Sequence, residues 1–307
     1  MGSHFLKTYM KISAFIPVTN SLKRGDTFLE AIITHLYWAD ELVVVDGGST
    51  DGTIEAIMNL KDPRIKIITR PWVQEGWSWS EFPKAWNAGI DACSGDWVAA
   101  GESDHIFHEN EAQRVREEVE RETRKGKAVM RCQKMQSAAW DKWSSKSQMY
   151  YFIYKAKFPQ IRYGFDPKHE TDLTHPIWWD MSTMYEDIPQ GTAIREDTEF
   201  AGLIGGTGAN IYNYLWPFKT KEMIITERMK AMKGWNLFSG FTDIYKKRMP
   251  EDREAIEKQL NSQIKGVHEK STRHIPFADH PKIMQEKIVR DLRDDMIGSP
   301  IWQGAAY

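Results

Sequence analysis

The segment that most constrains the fold joins a strand signal to a helix start between Leu42 and Thr53. Three consecutive valines at 43–45 predict a buried strand, because β-branched side chains pack well on a pleated surface. Asp46 follows at once, then two glycines and a Ser-Thr-Asp cluster of the kind that caps helices. An ordinary solvated turn would explain the glycines and the cap equally well. The acid at the strand end favours a binding role, since open α/β sheets bind ligands at the carboxyl ends of their strands.

Strand and helix signals alternate along the first hundred residues. Such alternation indicates an α/β fold in which a parallel sheet is wound with right-handed crossovers. Pro17 is expected to end the first strand. The predicted strands are 11–16, 42–45, 64–69 and 97–100, and the predicted helices are 28–37, 53–60 and 83–92.

The rest of the chain is less uniform. A charged helix over 109–125 and a strand over 128–135 are predicted, followed by an irregular, aromatic-rich stretch over 140–208 that suits a binding surface built on loops. Four glycines near 202–208 are interpreted as a turn. Helices are predicted again over 222–232, 240–249, 251–264 and 282–296.

Bulk composition excludes several classes of protein. The chain has 307 residues, with 41 Lys plus Arg against 43 Asp plus Glu, so its charge balance requires neither a nucleic-acid nor an acidic-membrane partner. Cys93 and Cys132 are too few for a disulfide framework or a zinc cluster, and we interpret them as small core residues. Their number fits a reducing compartment, so we expect a cytoplasmic protein, and no apolar run is long enough for a transmembrane segment.

A second informative run places two carboxylates just after the predicted strand 97–100. Glu102 and Asp104 are two residues apart, and strand alternation would aim both the same way if the strand continued. Mg²⁺ and Mn²⁺ prefer oxygen ligands and take one or two carboxylates together with water and phosphate. A solvated turn is the alternative interpretation. His105 and His108 are interpreted as ordinary surface or outer-sphere histidines.

These runs resemble the motifs of the family 2 glycosyltransferases. Residues 42–53 resemble the first nucleotide-sugar motif, and residues 87–104 resemble the next block, Asn-x-Gly followed by a Gly-acid-aromatic turn and an acidic pair. Around the second block, this chain departs from the family in two places. Trp86 stands where the family usually has arginine, and Glu102 replaces the first aspartate of the pair.

The resemblance implies a GT-A fold, with a Rossmann-like nucleotide-binding half, a mixed central sheet and, here, a C-terminal helical extension. The implied units are a glycosyltransferase domain over 8–220, divided at 108/109 into nucleotide-sugar and acceptor halves, and an extension over 221–307. It also implies transfer of a sugar from a nucleotide diphosphate to an acceptor hydroxyl with inversion. The expected nucleotide is UDP, and the expected cofactor is Mn²⁺ or Mg²⁺. Asp104 and Glu102 would bind the metal, and the donor would contact Pro17, Asp46, Gly48, Asn87 and Ser103.

The third match concerns the acceptor side. Glu196-Asp197-x-Glu199 resembles the family's acceptor motif, whose aspartate removes the proton from the acceptor hydroxyl, so Asp197 is the candidate catalytic base. Glu186-Asp187 is a rival acidic pair. A histidine that can join the metal site in the family is replaced here by Asn213, so we transfer no third ligand.

Several alternatives stay open at this stage. The tryptophans at 72, 77, 79, 86, 178 and 179 are expected either to stack on sugar or base rings or to pack in the core. The protein could instead be a sugar-phosphate nucleotidyltransferase or a catalytically silent binding protein. Glycans, proteins, lipid-linked sugars and a modified DNA base all remain open as acceptors.

Overall fold

The computed structural model describes residues 9–71, 81–137, 139–159, 161–164, 177–185, 188–193, 202, 204–214, 216–235, 252–270 and 273–299. Within them twelve strands are seen, which we label β1 to β12 in chain order: Ile12–Val18, Glu41–Asp46, Ile65–Thr69, Trp97–Ala100, His105–Ile106, Val129–Ser137, Lys142–Ile153, Ile161–Gly164, Ile177–Tyr185, Ile188–Ala193, Ile204–Asn213 and Arg273–His274.

The helices lie between these strands and after β11. The α-helices of the described part are Ser21–Arg24, Phe28–His35, Thr53–Met58, Glu81–Ala92, Ala112–Arg124, Lys221–Trp235, Arg253–Lys270 and Lys282–Asp291, and short 3₁₀ turns cover Glu109–Glu111 and Phe277–Asp279. Among the described residues, no helix combines the length and the apolar character that crossing a bilayer requires.

A mixed sheet forms the centre of the molecule. Its strands run in the order β3-β2-β1-β4-β7-β6-β11-β5, with β12 paired to β7. The first four are parallel, β7 then pairs antiparallel with both β4 and β6, and β11 is parallel to β6. A second sheet contains β10, β9 and β8. The α/β fold class with a mixed central sheet is therefore confirmed.

Both faces of the central sheet are buried. Alternation sends Val44 to one face and Val43 and Val45 to the other, and each face has its own apolar cluster. The first cluster includes Ile32 from the helix Phe28–His35, and the second includes Ile90 from the helix Glu81–Ala92. The run of valines is explained by this burial on both sides.

The C-terminal part packs against the first of these faces. Met284, Ile288 and Met296 belong to the same buried cluster as Val44. Near them, His280 is 1 % exposed, and its Nδ1 lies 2.6 Å from the Tyr214 hydroxyl oxygen. The proposed division at 220/221 stays a prediction, but the helix Lys282–Asp291 shares the core of the sheet.

The first hundred residues follow the predicted pattern closely, and Cys93 and Cys132 are free and buried as expected. One boundary was wrong, because β1 continues through Pro17 to Val18. Beyond the last β1–β4 pair, Phe15 with Ala100, β1 pairs with β2 alone, and a missing N–H is tolerated where one side of a strand is unpaired.

The prediction of an irregular stretch over 140–208 was wrong for much of its length. It contains β7 to β10 and the start of β11. Gly205, Gly206 and Gly208 lie in β11 rather than in a turn, with a register shift between Gly206 and Asn210. A β-carbon on Gly205 would come within 2.5 Å of a Glu122 carboxylate oxygen, so close packing of the sheet on the helix Ala112–Arg124 explains that glycine. The helix predicted over 240–249 lies outside the described residues.

Candidate active site

Asp46 closes β2 at the edge where the parallel strands end. It is 5 % exposed, and its Oδ1 accepts a hydrogen bond of 2.9 Å from the Ser49 backbone N–H. Gly48, between them, has φ 89°, a left-handed conformation that favours glycine. The turn therefore fixes the carboxylate with one backbone hydrogen bond and keeps the chain close around it.

The acidic turn after β4 lies near Asp46 because one strand separates them. β1 is parallel to both β2 and β4, so their carboxyl ends share one edge of the sheet. Neighbouring strands are about 4.8 Å apart, which puts the ends of β2 and β4 roughly 10 Å apart across the edge. That span fits a nucleotide whose base and phosphates contact different strand ends.

Gly101 allows the acidic turn to start directly against β1. Its N–H donates to the Phe15 carbonyl oxygen at 2.8 Å. A β-carbon at Gly101 would lie 2.8 Å from both His35 Nε2 and Ile16 Cγ1. Any larger residue would push the turn away from the sheet, so the position of the two carboxylates depends on this glycine.

Three side chains converge after Gly101. Glu102, Asp104 and His105 each offer a ligand atom, and these atoms all lie within 4.8 Å of one another. His105 Nε2 is 3.2 Å from Glu102 Oε2 and 4.0 Å from Asp104 Oδ1. Metal–ligand bonds of about 2.1 Å place neighbouring ligands about 3 Å apart and opposite ligands about 4 Å apart, so the spacing fits one hard cation.

The ring of His105 packs beside that of Tyr151, with 5.8 Å between the ring centroids. It is fully buried, and neither of its ring nitrogens has a hydrogen-bond partner there. A buried polar group without a partner is costly, and a bound cation would satisfy one of the two nitrogens. The expectation that His105 lies on the surface was wrong, because the residue is fully buried, and its outer-sphere role stays a prediction. His108 is partly exposed, and its Nδ1 accepts from the Asn110 N–H at 3.2 Å.

The cluster is negatively charged and partly buried. The Asp104 side chain is only 14 % exposed, and burial raises its pKa. His105 lowers this pKa, whereas the negative charge of Glu102 raises it further. Lys134 Nζ on β6 lies 3.9 Å from Glu102 Oε2 and also counteracts the shift. Two carboxylates held so close favour additional positive charge at this point.

Asn213 lies beside His105 in the sheet. The two residues pair directly across β11 and β5, so their side chains share a face. Asn213 is 2 % exposed, and its Oδ1 has no hydrogen-bond partner in the described part of the chain. The imidazole of this site is thus on β5, opposite the asparagine of β11.

The other predicted donor contacts stay predictions, and the structure gives two of these residues additional roles. Pro17 lies one residue before the end of β1. Both polar atoms of the Asn87 amide bond to the backbone of Tyr163, at 2.9 and 3.1 Å, and so hold the helix Glu81–Ala92 to β8. Ser103 Oγ donates to Asp26 Oδ2 at 3.3 Å.

The candidate base and its rival lie outside the described residues, Asp197 within 194–201 and Glu186-Asp187 at 186–187. So do Trp72, Trp77 and Trp79. Trp86 is fully buried, with its ring 4.2 Å from that of Tyr163 and 5.4 Å from that of Phe15, so it is a core residue.

Residues 13–183, more than half of the chain, match the model of the family described as glycosyl transferase family 2. The chain belongs to this family. The glycosyltransferase activity that the motifs implied is thereby supported at the level of the enzyme class, and the acidic turn lies inside the matched region.

Solved structures that resemble this glycosyltransferase are distant. TarS from S. aureus is 14 % identical over 78 % of this chain, with a TM-score of 0.42, and the chain spans 42 % of the length of that protein. TarS residues 1–349 in complex with UDP are 13 % identical over 78 % of this chain and 71 % of that one, with a TM-score of 0.41. The mannosyltransferase PcManGT from Pyrobaculum calidifontis, in complex with GDP-Man and Mn²⁺, is 12 % identical over 97 % of this chain and 81 % of that one, with a TM-score of 0.40. Curated protein sequences contain no match.

Proposed function

We propose that this chain transfers a sugar from a UDP-sugar to an acceptor hydroxyl, with inversion, and that it uses a divalent cation, Mn²⁺ or Mg²⁺. The observation that carries the proposal is the cluster of Glu102, Asp104 and buried His105 at the edge of the sheet that also presents Asp46. Family membership supplies the reaction class.

The metal ligands are proposed to be Asp104, Glu102 and His105. When bound, the cation would neutralise the charge that grows on the diphosphate as the sugar bond breaks. The carboxylates supply hard oxygen ligands, and the imidazole supplies one nitrogen, a donor set that suits Mn²⁺ at least as well as Mg²⁺. Lys134, close to Glu102, adds a fixed positive charge beside the phosphates.

The base of the donor is proposed to lie at Asp46. A carboxylate is a hydrogen-bond acceptor, and uracil offers an imino N–H that cytosine lacks. Asp46 already uses Oδ1 for the Ser49 N–H, so the other oxygen is the acceptor proposed for the base.

The transfer itself is a single displacement. The acceptor oxygen forms its bond to the anomeric carbon on the face opposite the diphosphate, and the electrons of the broken bond leave with the phosphate oxygen. The proton of the acceptor hydroxyl passes to a carboxylate, for which we propose Asp197. We place this reaction in the cytoplasm, because the two cysteines are free and buried.

Calorimetric titration of UDP with and without Mn²⁺ tests the ligand assignments. In Asp104→Ala, Mn²⁺ should no longer improve UDP affinity, because a ligand is lost. In Asp46→Asn, affinity should fall roughly 10–100-fold with and without Mn²⁺, since a hydrogen bond to a charged group contributes about 1.5–3 kcal/mol. Asp62→Ala is the control, because Asp62 precedes β3 at the opposite edge of the sheet.

The result that would overturn the metal assignment is equal Mn²⁺ dependence in wild type and Asp104→Ala. Turnover of a panel of UDP-sugars by the wild type separates an enzyme from a silent binding protein. Binding of UDP and Mn²⁺ without transfer to any acceptor or to water would favour the silent protein.

A further inference from the structure

The segment over residues 20–27 connects the two turns of the candidate site. At its start, the Asn20 N–H donates to Ser49 Oγ at 3.0 Å, and Asn20 Oδ1 accepts from the Thr50 N–H at 2.9 Å. Ser49 also contacts Asp46, as described above. This end of the segment therefore touches the turn proposed to bind the base.

The other end of the segment contacts the acidic turn. Thr27 Oγ1 donates to the Ser103 carbonyl oxygen at 3.4 Å, and Ser103 Oγ donates to Asp26 Oδ2 at 3.3 Å. Ser103 lies between Glu102 and Asp104 in the chain, so a bond that fixes Ser103 also limits where both carboxylates can point.

Asp26 is held in turn by Arg24, whose Nε lies 3.2 Å from Asp26 Oδ2, and by a buried lysine 193 residues further along the chain. Lys219 Nζ donates to Asp26 Oδ1 at 2.7 Å and lies 3.1 Å from Glu227 Oε1. Asp26 is 8 % exposed and Lys219 is 4 % exposed. Burial opposes ionisation of Asp26, but the charges of Arg24 and Lys219 outweigh it and lower its pKa. The carboxylate is therefore kept charged in the interior by its cationic partners.

Close backbone packing holds the same contact. Gly25 has φ 66°, and a β-carbon there would lie 2.6 Å from Met223 Cε and 3.3 Å from the Phe218 carbonyl oxygen. Phe218 and Met223, on either side of Lys219 in the sequence, thus pack closely against Gly25, the residue before Asp26. This packing leaves Asp26 little freedom to follow a displaced Lys219.

We propose that Lys219 is a positioning residue for the acidic turn. Through Asp26 it fixes Ser103, and through Ser103 it sets the orientation of Glu102 and Asp104. The inference rests on the proposed metal-dependent function and extends it, because it makes the cation affinity of the turn depend on a residue outside the region that matches the family. Partners that orient metal ligands typically change metal affinity or activity by roughly 10–100-fold when they are removed.

A second ionic contact offers a matched control. Lys287 and Arg290, from the helix Lys282–Asp291, lie 3.4 and 3.3 Å from the buried carboxylate of Glu30. This contact also joins the C-terminal part to the N-terminal part, but it reaches the helix Phe28–His35 instead of Asp26. A merely stabilising role for Lys219 predicts similar results at both places.

The test compares Lys219→Met, Lys219→Arg and Lys287→Met. For each we would measure UDP affinity with and without Mn²⁺, and hydrogen exchange of the backbone amides at 101–107. Lys219→Met should weaken Mn²⁺-dependent UDP affinity roughly 10–100-fold, leave metal-free UDP affinity within about twofold, and speed exchange at 101–107. Lys219→Arg should restore most of the affinity, and Lys287→Met should match the wild type. If Lys219→Met does not fold, Ser103→Ala removes the hydrogen bond from Ser103 to Asp26 and leaves the Lys219–Asp26 pair in place. This variant should reduce Mn²⁺-dependent UDP affinity as Lys219→Met would.

The proposal is overturned if Lys219→Met keeps wild-type Mn²⁺ dependence, or if Lys287→Met loses it to the same extent. If the wild type itself shows no Mn²⁺ dependence, the proposed function fails. The exchange data then still test whether Lys219 orders the acidic turn. Unchanged exchange at 101–107 in Lys219→Met would then show that Lys219 does not order the turn.

Discussion

At the scale of single residues, the acidic turn brings together groups that would be unfavourable without a ligand. The Asp104 carboxylate is largely buried beside Glu102, and the imidazole of His105 is buried without a hydrogen-bond partner among the described residues. Each group alone costs stability, because burial penalises both charge and unsatisfied polar atoms. Together they form a donor set whose cost a single cation would offset, which is a feature of functional sites more than of structural ones.

The catalytic base can be tested by a pair of isosteric changes. Asp197→Asn keeps the shape of the side chain and removes its basicity, so transfer should fall roughly 10²–10⁴-fold while UDP affinity is nearly unchanged. Initial rates with a saturating UDP-sugar and a chosen acceptor give the comparison. Asp187→Asn is the control, because Asp187 belongs to the rival acidic pair. Near wild-type transfer by Asp197→Asn, with the loss at Asp187→Asn instead, would assign the base to Asp187.

The sequence predicted some of these residues for physical reasons and missed others. Asp46, Glu102 and Asp104 could be proposed because acids at or just after the end of an apolar strand are a local signal, and their roles stay predictions. His105 was misjudged because its burial depends on β5 pairing with β11, more than a hundred residues later. Lys219 was missed for the same reason, since a lone lysine gives no sign of a partner 193 residues away.

At the scale of elements, the helix Glu81–Ala92 packs unusually close to β1. Gly89 lies on its inner side, and a β-carbon there would come within 2.5 Å of the buried Phe15 ring. The Asn-x-Gly pattern of residues 87–89 thus has two structural roles, since Asn87 holds β8 and Gly89 lets the helix approach the sheet. This packing gives the motif a structural role next to the edge of the sheet where the donor is proposed to bind.

Replacing glycine by alanine should therefore have opposite effects on stability at two helical positions. Gly89→Ala should lower the free energy of unfolding by about 1–3 kcal/mol, because Phe15 is fully buried and has no room to move. Gly266→Ala, in the helix Arg253–Lys270 with nothing within 4 Å of the added carbon, should raise it by up to about 1 kcal/mol. Urea unfolding measures both. Stabilisation by Gly89→Ala would contradict the close approach.

Elements with strong local periodicity were predicted well, and those defined by pairing were not. The alternation of the first hundred residues gave seven elements in the right order, from β1 to β4 with the helices between them. The strands β7 to β11 were missed because their sequences lack clear alternation. In β11, Gly205 is explained by the close approach of the helix Ala112–Arg124 rather than by a turn.

At the scale of the whole molecule, the helix Lys282–Asp291 completes one face of the core that the first strands begin. Met284 and Ile288 share a buried cluster with Val44, and Lys282–Asp291 also contributes the cations that pair with Glu30. His280 joins the same region, surrounded by the rings of Trp140, Trp143 and Tyr214. The sequence indicated helices here but not what they cover.

The burial of His280 should make the fold sensitive to acid. Burial lowers its pKa from 6.5 to about 4, so between these values the unfolded chain binds more protons than the folded one. This contribution to stability is complete above pH 6.5 and decreases as the pH falls, and the loss reaches roughly 3 kcal/mol once the pH is below 4. Wild type should therefore lose more unfolding free energy than His280→Gln between pH 7.5 and pH 4.5. His274→Gln, at an exposed histidine, is the control; an equal acid-induced loss in wild type and His280→Gln would show that His280 is not responsible.

The contact between Asp26 and Lys219 also joins residues that are made at different times during synthesis. The two residues are 193 positions apart, so at typical translation rates of 5–20 residues per second about 10–40 s pass between their additions to the chain. During that interval Asp26 has only Arg24 as a cationic partner, so its carboxylate stays more hydrated than in the finished fold, because burying an incompletely compensated carboxylate is costly. The N-terminal sheet can begin to form on the ribosome, but its acidic turn gains its final order only after the strands of the acceptor side have emerged.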